Sequence, residues 1–134
     1  MQPSIQGIDH LHVYVNDKTL AVKWFQDTLG FRPLSKFQSW NTQSGPLMIG
    51  DQQNRALLAL FESSHEQPSR VIAFGCSAEN FIQWRAKLTA LDSLDRLADH
   101  EISFSLYFTD PFGNQYEITC HDHQTLSGLL YPEN

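Results

Sequence analysis

Polar side chains alternate with apolar ones near the start of the chain, in the segment IDHLHVYV. If this segment is extended, His10, His12 and Tyr14 fall on one face, and Leu11, Val13 and Val15 on the other. Imidazole groups bind divalent metals and transfer protons near neutral pH. This face is therefore the first candidate for chemistry.

A second polar set lies near the other end of the chain, where alternating segments flank the turn DPFGN. One face of this predicted hairpin carries Ser105 and Tyr107 on its first strand, and Glu117, Thr119 and His121 on its second. Apolar positions predicted to line the same cleft are Leu57, Ala59, Phe61, Val71 and Ala73. Such a mixed wall suits a small, partly aromatic or aliphatic molecule held by a few hydrogen bonds.

The segments that position the first polar set read as a β-α-β-β-β unit. Ile8 to Val15 is predicted as a strand, and Lys18 to Leu29 as an amphipathic helix capped by Asn16 or Asp17 and ended by Gly30. Further strand-like runs are Phe31 to Phe37, Leu47 to Ile49 and Arg55 to Phe61.

The second half repeats this order after a polar linker. A strand from Val71 to Cys76 precedes a helix capped by Ser77, and the hairpin strands are Ser103 to Thr109 and Gln115 to His121. One more short strand is expected within Asp92 to Ile102. The predicted boundaries are about 7–62 for module one, 63–69 for the linker, 70–122 for module two and 123–134 for a C-terminal tail.

The predicted fold class is α+β, with two β-α-β-β-β modules whose sheets form a curved half-barrel around a cleft and whose helices lie outside. An offset of about sixty residues superposes strand on strand and brings Trp24 beside Trp84, as expected of an internal repeat. Each sheet needs an apolar face to carry its helix, which leaves the polar faces to meet at the cleft.

Composition excludes several classes of function. A net charge of −6 and a pI near 5.3, without a run of Lys or Arg, argue against nucleic-acid or anionic-membrane binding and leave small neutral or cationic ligands open. No segment approaches the ~20 apolar residues of a membrane span, and no signal peptide opens the chain, so we expect a cytoplasmic protein. Cys76 and Cys120 are expected to be reduced core residues.

Three blocks in this order resemble the vicinal-oxygen-chelate superfamily, which includes glyoxalases, bleomycin-resistance proteins and extradiol dioxygenases: IDHLHVYVND, WFQDTLGF and YFTDPFGNQYEI. The resemblance spans nearly the whole chain and implies the paired-module fold described above. It also implies a divalent metal that chelates substrate oxygens, with its first-strand ligand at His10 and its last-strand carboxylate at Glu117.

The family's other ligand positions depart from the pattern, because they hold Ala59 and Val71, which cannot bind a metal. A catalytic metal normally needs three protein donors. His12, His121 and Tyr107 are candidates for the third. Two alternatives stay open: one divalent metal held by His10, Glu117 and one of these residues, or a metal-free pocket in which His10 and Glu117 form a hydrogen-bonded pair.

Three functions are compatible with these residues. The first is a lyase or isomerase in which His10 and Glu117 move a proton next to a carbonyl. The second is a non-catalytic binding protein resembling bleomycin-resistance proteins, and the third is a metal-dependent dioxygenase or thiol transferase. In each, the ligand is expected to contact His12, Tyr14, Ala59, Val71, Ser105, Tyr107 and Thr119.

The tail HQTLSGLLYPEN carries apolar residues at near-helical spacing. A short tail with this apolar content is expected to dock on a sheet edge or on a second subunit. Together with the family resemblance, it predicts a homodimer that binds a small molecule.

Overall fold

A computed structural model of the protein describes residues 2, 8–64 and 71–133. The chain divides into two compact units, Met1–Gln67 and Pro68–Asn134. Each unit contains an open, mixed four-stranded sheet and the predicted β-α-β-β-β order, which confirms the α+β fold class. Most of the predicted linker falls at residues 65–70, outside the described part of the chain.

The first unit has the sheet order β1-β4-β3-β2, with β1 parallel to β4 and the other pairs antiparallel. Its elements are β1 (Leu11–Val15), α1 (Lys18–Leu29), β2 (Arg32–Pro33), a 3-10 helical segment (Ser35–Trp40), β3 (Leu47–Gly50) and β4 (Leu57–Glu62).

Helix α1 begins and ends where the sequence predicts. The Asp17 side chain accepts a hydrogen bond from the Leu20 amide at 3.1 Å, which satisfies one of the unpaired donors of the first turn. Gly30 ends the helix in the left-handed conformation at φ 73°, where a residue without Cβ is favoured. Ala21 and Phe25 of α1 are fully buried, and the helix contacts β4.

The prediction of a strand from Phe31 to Phe37 is wrong for most of its length. Only Arg32–Pro33 pairs with β3, and the chain then turns into the 3-10 segment. β2 is an edge strand, where the missing amide proton of Pro33 faces away from β3 and is tolerated. The last pairing contact is the Leu34 amide donating to the Met48 carbonyl at 2.9 Å.

The second unit has the sheet order β5-β8-β7-β6, with β5 parallel to β8. Its elements are β5 (Ile72–Gly75), α2 (Ala78–Ala90), β6 (Leu94–Asp99), β7 (Phe104–Thr109), β8 (Gln115–Cys120) and α3 (His123–Leu130). Strand β6 is the short strand expected within 92–102. Helix α3 is formed by the tail with near-helical spacing, and its Leu126 is fully buried.

The hairpin of β7 and β8 separates its two faces as predicted. The buried face consists of Phe104, Leu106, Phe108, Tyr116, Ile118 and Cys120. Helix α2 packs on this face, since the rings of Phe81 and Phe104 have centroids 6.4 Å apart. The opposite face presents Tyr107, Glu117 and Thr119 as half-buried side chains. The alternation of the sequence thus fixes which residues are left for a site.

Candidate functional site

A chain of three polar groups lies at the start of β1. Asp9 Oδ2 is 2.7 Å from His10 Nδ1, and His10 Nε2 is 3.3 Å from His12 Nε2. The two imidazole rings are stacked, with centroids 5.2 Å apart and planes at 21°. The His10 side chain is 34% exposed, so a small molecule can reach it. Alternation alone would keep His10 and His12 nearly 7 Å apart along the strand, but their side chains lean together.

The partners of His10 determine which of its nitrogens carries a proton. An ionised carboxylate only accepts hydrogen bonds, so Asp9 requires a proton on His10 Nδ1. His10 Nε2 is then the acceptor, and His12 donates to it through its own Nε2. The hydrogen bond to Asp9 Oδ2 thus fixes the orientation of the His10 ring and directs its Nε2 away from the carboxylate. The arrangement is therefore suited to accepting and returning a proton.

Aromatic side chains continue this face of the first sheet. The ring centroid of Phe61 lies 4.7 Å from that of His12 and 5.8 Å from that of Tyr14. Tyr14 and Phe61 are register partners in the parallel pair β1–β4. His12 and Tyr14 thus lie on the face that the sequence assigned to them, beside an apolar ring that could cover a ligand.

Ala59 is 1% exposed, because it packs in a small cluster with Leu34 and Met48. Phe37, from the 3-10 segment, packs against the same cluster. The position at which the family resemblance implies a carboxylate is thus covered by apolar atoms. The predicted contact between Ala59 and a substrate stays a prediction.

The first unit also contains a cavity of about 190 Å³ between α1, the 3-10 segment and β3. Val22, Leu34, Phe37 and Met48 form apolar parts of its wall, and Asn41 is one of its polar residues. None of the residues predicted to bind substrate lines it.

In the second unit, the Glu117 carboxylate is held by the neighbouring strand. Ser105 Oγ donates to Glu117 Oε2 at 2.7 Å, and Ser105 is fully buried. Ser105 Oγ also lies 3.4 Å from Thr119 Oγ1, which itself donates to the Phe104 carbonyl at 3.3 Å. A fixed, half-buried carboxylate of this kind can accept a proton or a hydrogen bond from a ligand.

Tyr107, the register partner of Glu117 on β7, is held by two residues to which the sequence analysis gave no role. Its hydroxyl lies 3.0 Å from His100 Nε2, and the guanidinium carbon of Arg96 lies 4.5 Å from its ring centroid. Arg96 and His100 were not among the predicted site residues, because the strand expected within 92–102 had no predicted bounds or register with its neighbours.

The other predicted site residues lie at strand ends. Val71 directly precedes β5 and is 48% exposed, and His121 follows β8 and is exposed. Their roles as substrate contact and third ligand stay predictions, as does the joint action of His10 and Glu117. Asp9, which orients His10, was also overlooked, because adjacent strand residues point to opposite faces and Asp9 lies just outside β1.

A divalent metal, as implied by the family resemblance, needs at least three donors. In residues 8–64 and 71–133, no group of three or more His, Cys, Asp or Glu side chains is placed to hold a metal ion. His10 and His12 bring two nitrogens together, but a third such donor does not join them within the described residues. Within either unit taken alone, the described side chains do not supply the three donors that this metal needs.

Comparison with known proteins gives the same fold. A family model described as Glyoxalase/Bleomycin resistance protein/Dioxygenase superfamily matches residues 7–118. No curated protein matches the chain. Within the described residues, each helix is too short or too polar to span a lipid bilayer.

Solved structures with the same fold include proteins with different names. An integron cassette protein from the mobile metagenome of the Halifax Harbour sewage outfall has a TM-score of 0.74 at 18% identity, over 87% of this chain and 99% of its own. The fosfomycin resistance protein FosX from Listeria monocytogenes, complexed with Mn(II) and sulfate, has a TM-score of 0.67 at 15% identity, over 96% and 100%. Lactoylglutathione lyase from Agrobacterium tumefaciens has a TM-score of 0.69 at 18% identity, over 98% and 100%.

Proposed function

The chain belongs to the glyoxalase, bleomycin resistance protein and dioxygenase superfamily, and from that premise we propose that it is a lyase or isomerase that moves a proton on a carbon next to a carbonyl group. His10 is the proposed base, oriented by Asp9. The observation that carries this proposal is the hydrogen-bonded chain from Asp9 Oδ2 through His10 to His12 Nε2.

The chemistry needs a base whose lone pair is held at one atom. Asp9 supports this requirement, because it keeps the proton on His10 Nδ1. His12 donates to the His10 Nε2 lone pair in the free protein, and the proton taken from the substrate is then held on His10 Nε2 itself. Phe61, whose ring lies 4.7 Å from that of His12 at a tilt of 51°, supports the proposal by offering an apolar wall that limits water.

Glu117 is the proposed second group of this reaction, as the sequence analysis predicted. Its fixed carboxylate, held by Ser105, is suited to accepting a hydrogen bond from a substrate hydroxyl or to taking up a proton. His10 and Glu117 belong to different units of the chain, so their action as a pair is a proposal that a double substitution tests. If they act on one substrate, the effects of His10→Ala and Glu117→Gln are not additive.

Proton exchange with solvent tests the proposal without knowledge of the product. The protein is incubated in D₂O with pyruvate, hydroxyacetone or the glutathione hemithioacetal of methylglyoxal, and loss of the C–H signal next to the carbonyl is followed by ¹H NMR. The hemithioacetal is included because one structural neighbour is a lactoylglutathione lyase. We expect faster exchange than buffer for at least one compound, and a loss of about 100-fold or more in His10→Ala.

Asp9→Asn is the second variant, since it removes the orienting charge and leaves His10 in place. Its matched control is Asp27→Asn, because Asp27 is an exposed carboxylate on α1 whose ion pair is with Lys23. We expect slower exchange in Asp9→Asn and unchanged exchange in Asp27→Asn. Full exchange activity in His10→Ala would refute the proposal.

A non-catalytic ligand-binding protein is the second candidate, favoured by the apolar packing around Ala59. It predicts saturable binding of a small molecule and no exchange with any compound. The metal-dependent dioxygenase or thiol transferase is the third candidate. Elemental mass spectrometry of the wild type and of Glu117→Ala tests it, because a bound divalent metal that disappears in the variant would require donors beyond those described.

Homodimerisation remains part of the proposal. Leu129 of α3 and Tyr131 are 49% and 63% exposed, and such apolar side chains support an interface. Light scattering after size-exclusion chromatography would give twice the chain mass of 15.3 kDa for a dimer.

A further inference from the structure

An irregularity in β6 decides where Arg96 points. Leu94 is the register partner of Phe108, but Arg96, not Asp95, is the partner of Tyr107. One extra residue therefore interrupts the antiparallel pairing, as in a β-bulge. Without it, regular pairing would place Arg96 opposite Leu106, on the buried face. The bulge turns Arg96 onto the face that carries Tyr107 and Glu117.

The bulge is fixed by a hydrogen bond on its extra residue. Thr109 Oγ1 donates to Asp95 Oδ2 at 2.8 Å. Pairing resumes after it, with Leu97 opposite Leu106 and Ala98 opposite Ser105. Bulges are enriched next to functional sites, where they re-aim a side chain.

The Arg96 guanidinium is held in place without a carboxylate partner among the described residues. It lies over the Tyr107 ring at 4.5 Å, and the Tyr107 hydroxyl is fixed by His100 at 3.0 Å. A cation–π contact orients a guanidinium but leaves its N–H donors available. Those donors form a planar fork that matches two oxygens of an anion.

Small residues lie on the same sheet face. Ala98 follows Arg96 by two residues on β6, and Ala73 is the register partner of Glu117 on β5. Arg96, Tyr107 and Glu117 are successive register partners across β6, β7 and β8. Arg96 and Glu117 are thus two strand spacings apart, about 10 Å along the sheet.

We propose that Arg96 binds an oxyanion group of the substrate, a carboxylate or a phosphoryl-type group, and that Tyr107 and the bulge in β6 position it for this role. The substrate is then a small anion a few bonds long, with its charged end at Arg96 and its remainder extending towards Glu117. This inference rests on the proposed function for its reference to a substrate, and it specifies the substrate's charge. It also revises the expectation of a neutral or cationic ligand, since the net charge of −6 does not describe this face.

Side-chain NMR tests the proposal with defined probes. Pyruvate, methylphosphonate and the neutral pyruvamide are titrated separately while the Arg96 Nε–Hε signal and the Tyr107 ring signals are followed. We expect saturable shifts with at least one of the two anions, and at least ~10-fold weaker binding of pyruvamide. Which anion binds more tightly distinguishes a carboxylate site from a phosphoryl site.

Variants separate recognition from folding. Arg96→Gln should weaken binding of the anion by ~10-fold or more, and Arg96→Lys should bind with intermediate affinity because it keeps the charge and loses the fork. Tyr107→Leu should also weaken binding, because it removes the ring that holds the guanidinium. Arg85→Gln is the matched control, since Arg85 is an exposed arginine on α2. Amide spectra that match the wild type show that each variant is folded.

The proposal is overturned if neither anion shifts the Arg96 signal saturably, if Arg96→Gln binds as tightly as the wild type, or if pyruvamide binds as tightly as pyruvate. Anion binding that stays intact while C–H exchange is absent would refute the proposed function alone. Exchange that persists in Arg96→Gln with unchanged Michaelis constant would refute the anion site alone.

Discussion

Replacing Asp110 by alanine should destabilise the fold strongly, because this carboxylate organises the turn that leads into β8 and Glu117. Asp110 is 4% exposed. It accepts hydrogen bonds from the Phe112 and Asn114 amides at 2.8 and 2.9 Å, and from Asn114 Nδ2 and the Tyr116 hydroxyl at 2.9 Å each. Burial and the Asp110 charge raise the pKa of Tyr116 far above its ordinary value, so the phenol remains a donor.

The expected loss in free energy of unfolding follows from these four hydrogen bonds. A hydrogen bond to a charged group contributes about 1.5–3 kcal/mol, and the contributions within one network do not add. Losing the whole buried acceptor is comparable to breaking a buried charged pair, about 3–5 kcal/mol. Tyr116→Phe removes only one of the four bonds, and we expect a loss of about 1.5–2 kcal/mol. Asp110→Asn should fall between them, because its amide nitrogen faces donors.

Urea unfolding followed by tryptophan fluorescence measures these free energies of unfolding, since Trp24, Trp40 and Trp84 report on the fold. Asp27→Ala is the matched control and should stay within about 0.5 kcal/mol of the wild type, because Asp27 is exposed. A loss of less than about 1 kcal/mol in Asp110→Ala, or an equal loss in Tyr116→Phe and Asp110→Ala, would show that Asp110 does not organise this turn.

Further predictions concern a buried lysine, a carboxylate and a thiol. Lys18 Nζ donates to Asn41 Oδ1, Thr42 O and Gly45 O at 2.7, 2.7 and 3.1 Å. Lys18→Met should therefore speed amide hydrogen exchange in residues 41–46, whereas the control Lys23→Met should not. The hydrogen bond from the Glu101 amide and then the bond with His123 lower the pKa of Asp99 from 3.8. A carboxyl group whose pKa is lowered by folding stabilises the protein at pH values above its unfolded pKa. Asp99→Asn should therefore be less stable than the wild type at pH 6, and this difference should shrink below pH ~4. A difference in stability that is constant with pH would contradict the assignment. Burial, with a smaller effect of Cys120, raises the pKa of Cys76 from 9.0 to about 11. At pH 8 the thiolate fraction of Cys76 is then about 100-fold lower than in the unfolded protein, so iodoacetamide should label folded Cys76 about 100-fold more slowly. Labelling of folded Cys120→Ser at the unfolded rate would contradict this.

The sequence predicts those parts of the fold that are determined by neighbouring residues. Asp17 and Gly30 mark the ends of α1 because capping and left-handed conformations depend on single side chains. Strict alternation in β7 and β8 assigns Leu106 and Glu117 to opposite faces for the same kind of reason. The superfamily follows from the order of three short blocks.

The features that the sequence does not predict depend on contacts between segments. The apolar residues within 31–37 favour a strand, but the chain after residue 34 forms the 3-10 segment, whose Phe37 packs against the cluster that contains Ala59. The bulge beside Arg96 depends on how β6 pairs with β7, and the sequence pattern within 94–99 does not reveal this pairing. The His12 and His10 side chains point towards each other, so their Nε2 atoms are closer than the nearly 7 Å expected between alternate residues of a strand.

The proposed base, His10, needs its lone pair on Nε2, and Asp9 is the residue that places it there. Long-range ¹H–¹⁵N NMR of the imidazole rings measures this directly, because protonated and unprotonated ring nitrogens have distinct shifts. We expect His10 to carry its proton on Nδ1 in the wild type and to shift towards the Nε2–H form in Asp9→Asn. A wild-type His10 protonated on Nε2, or a tautomer that does not change in Asp9→Asn, would contradict the account.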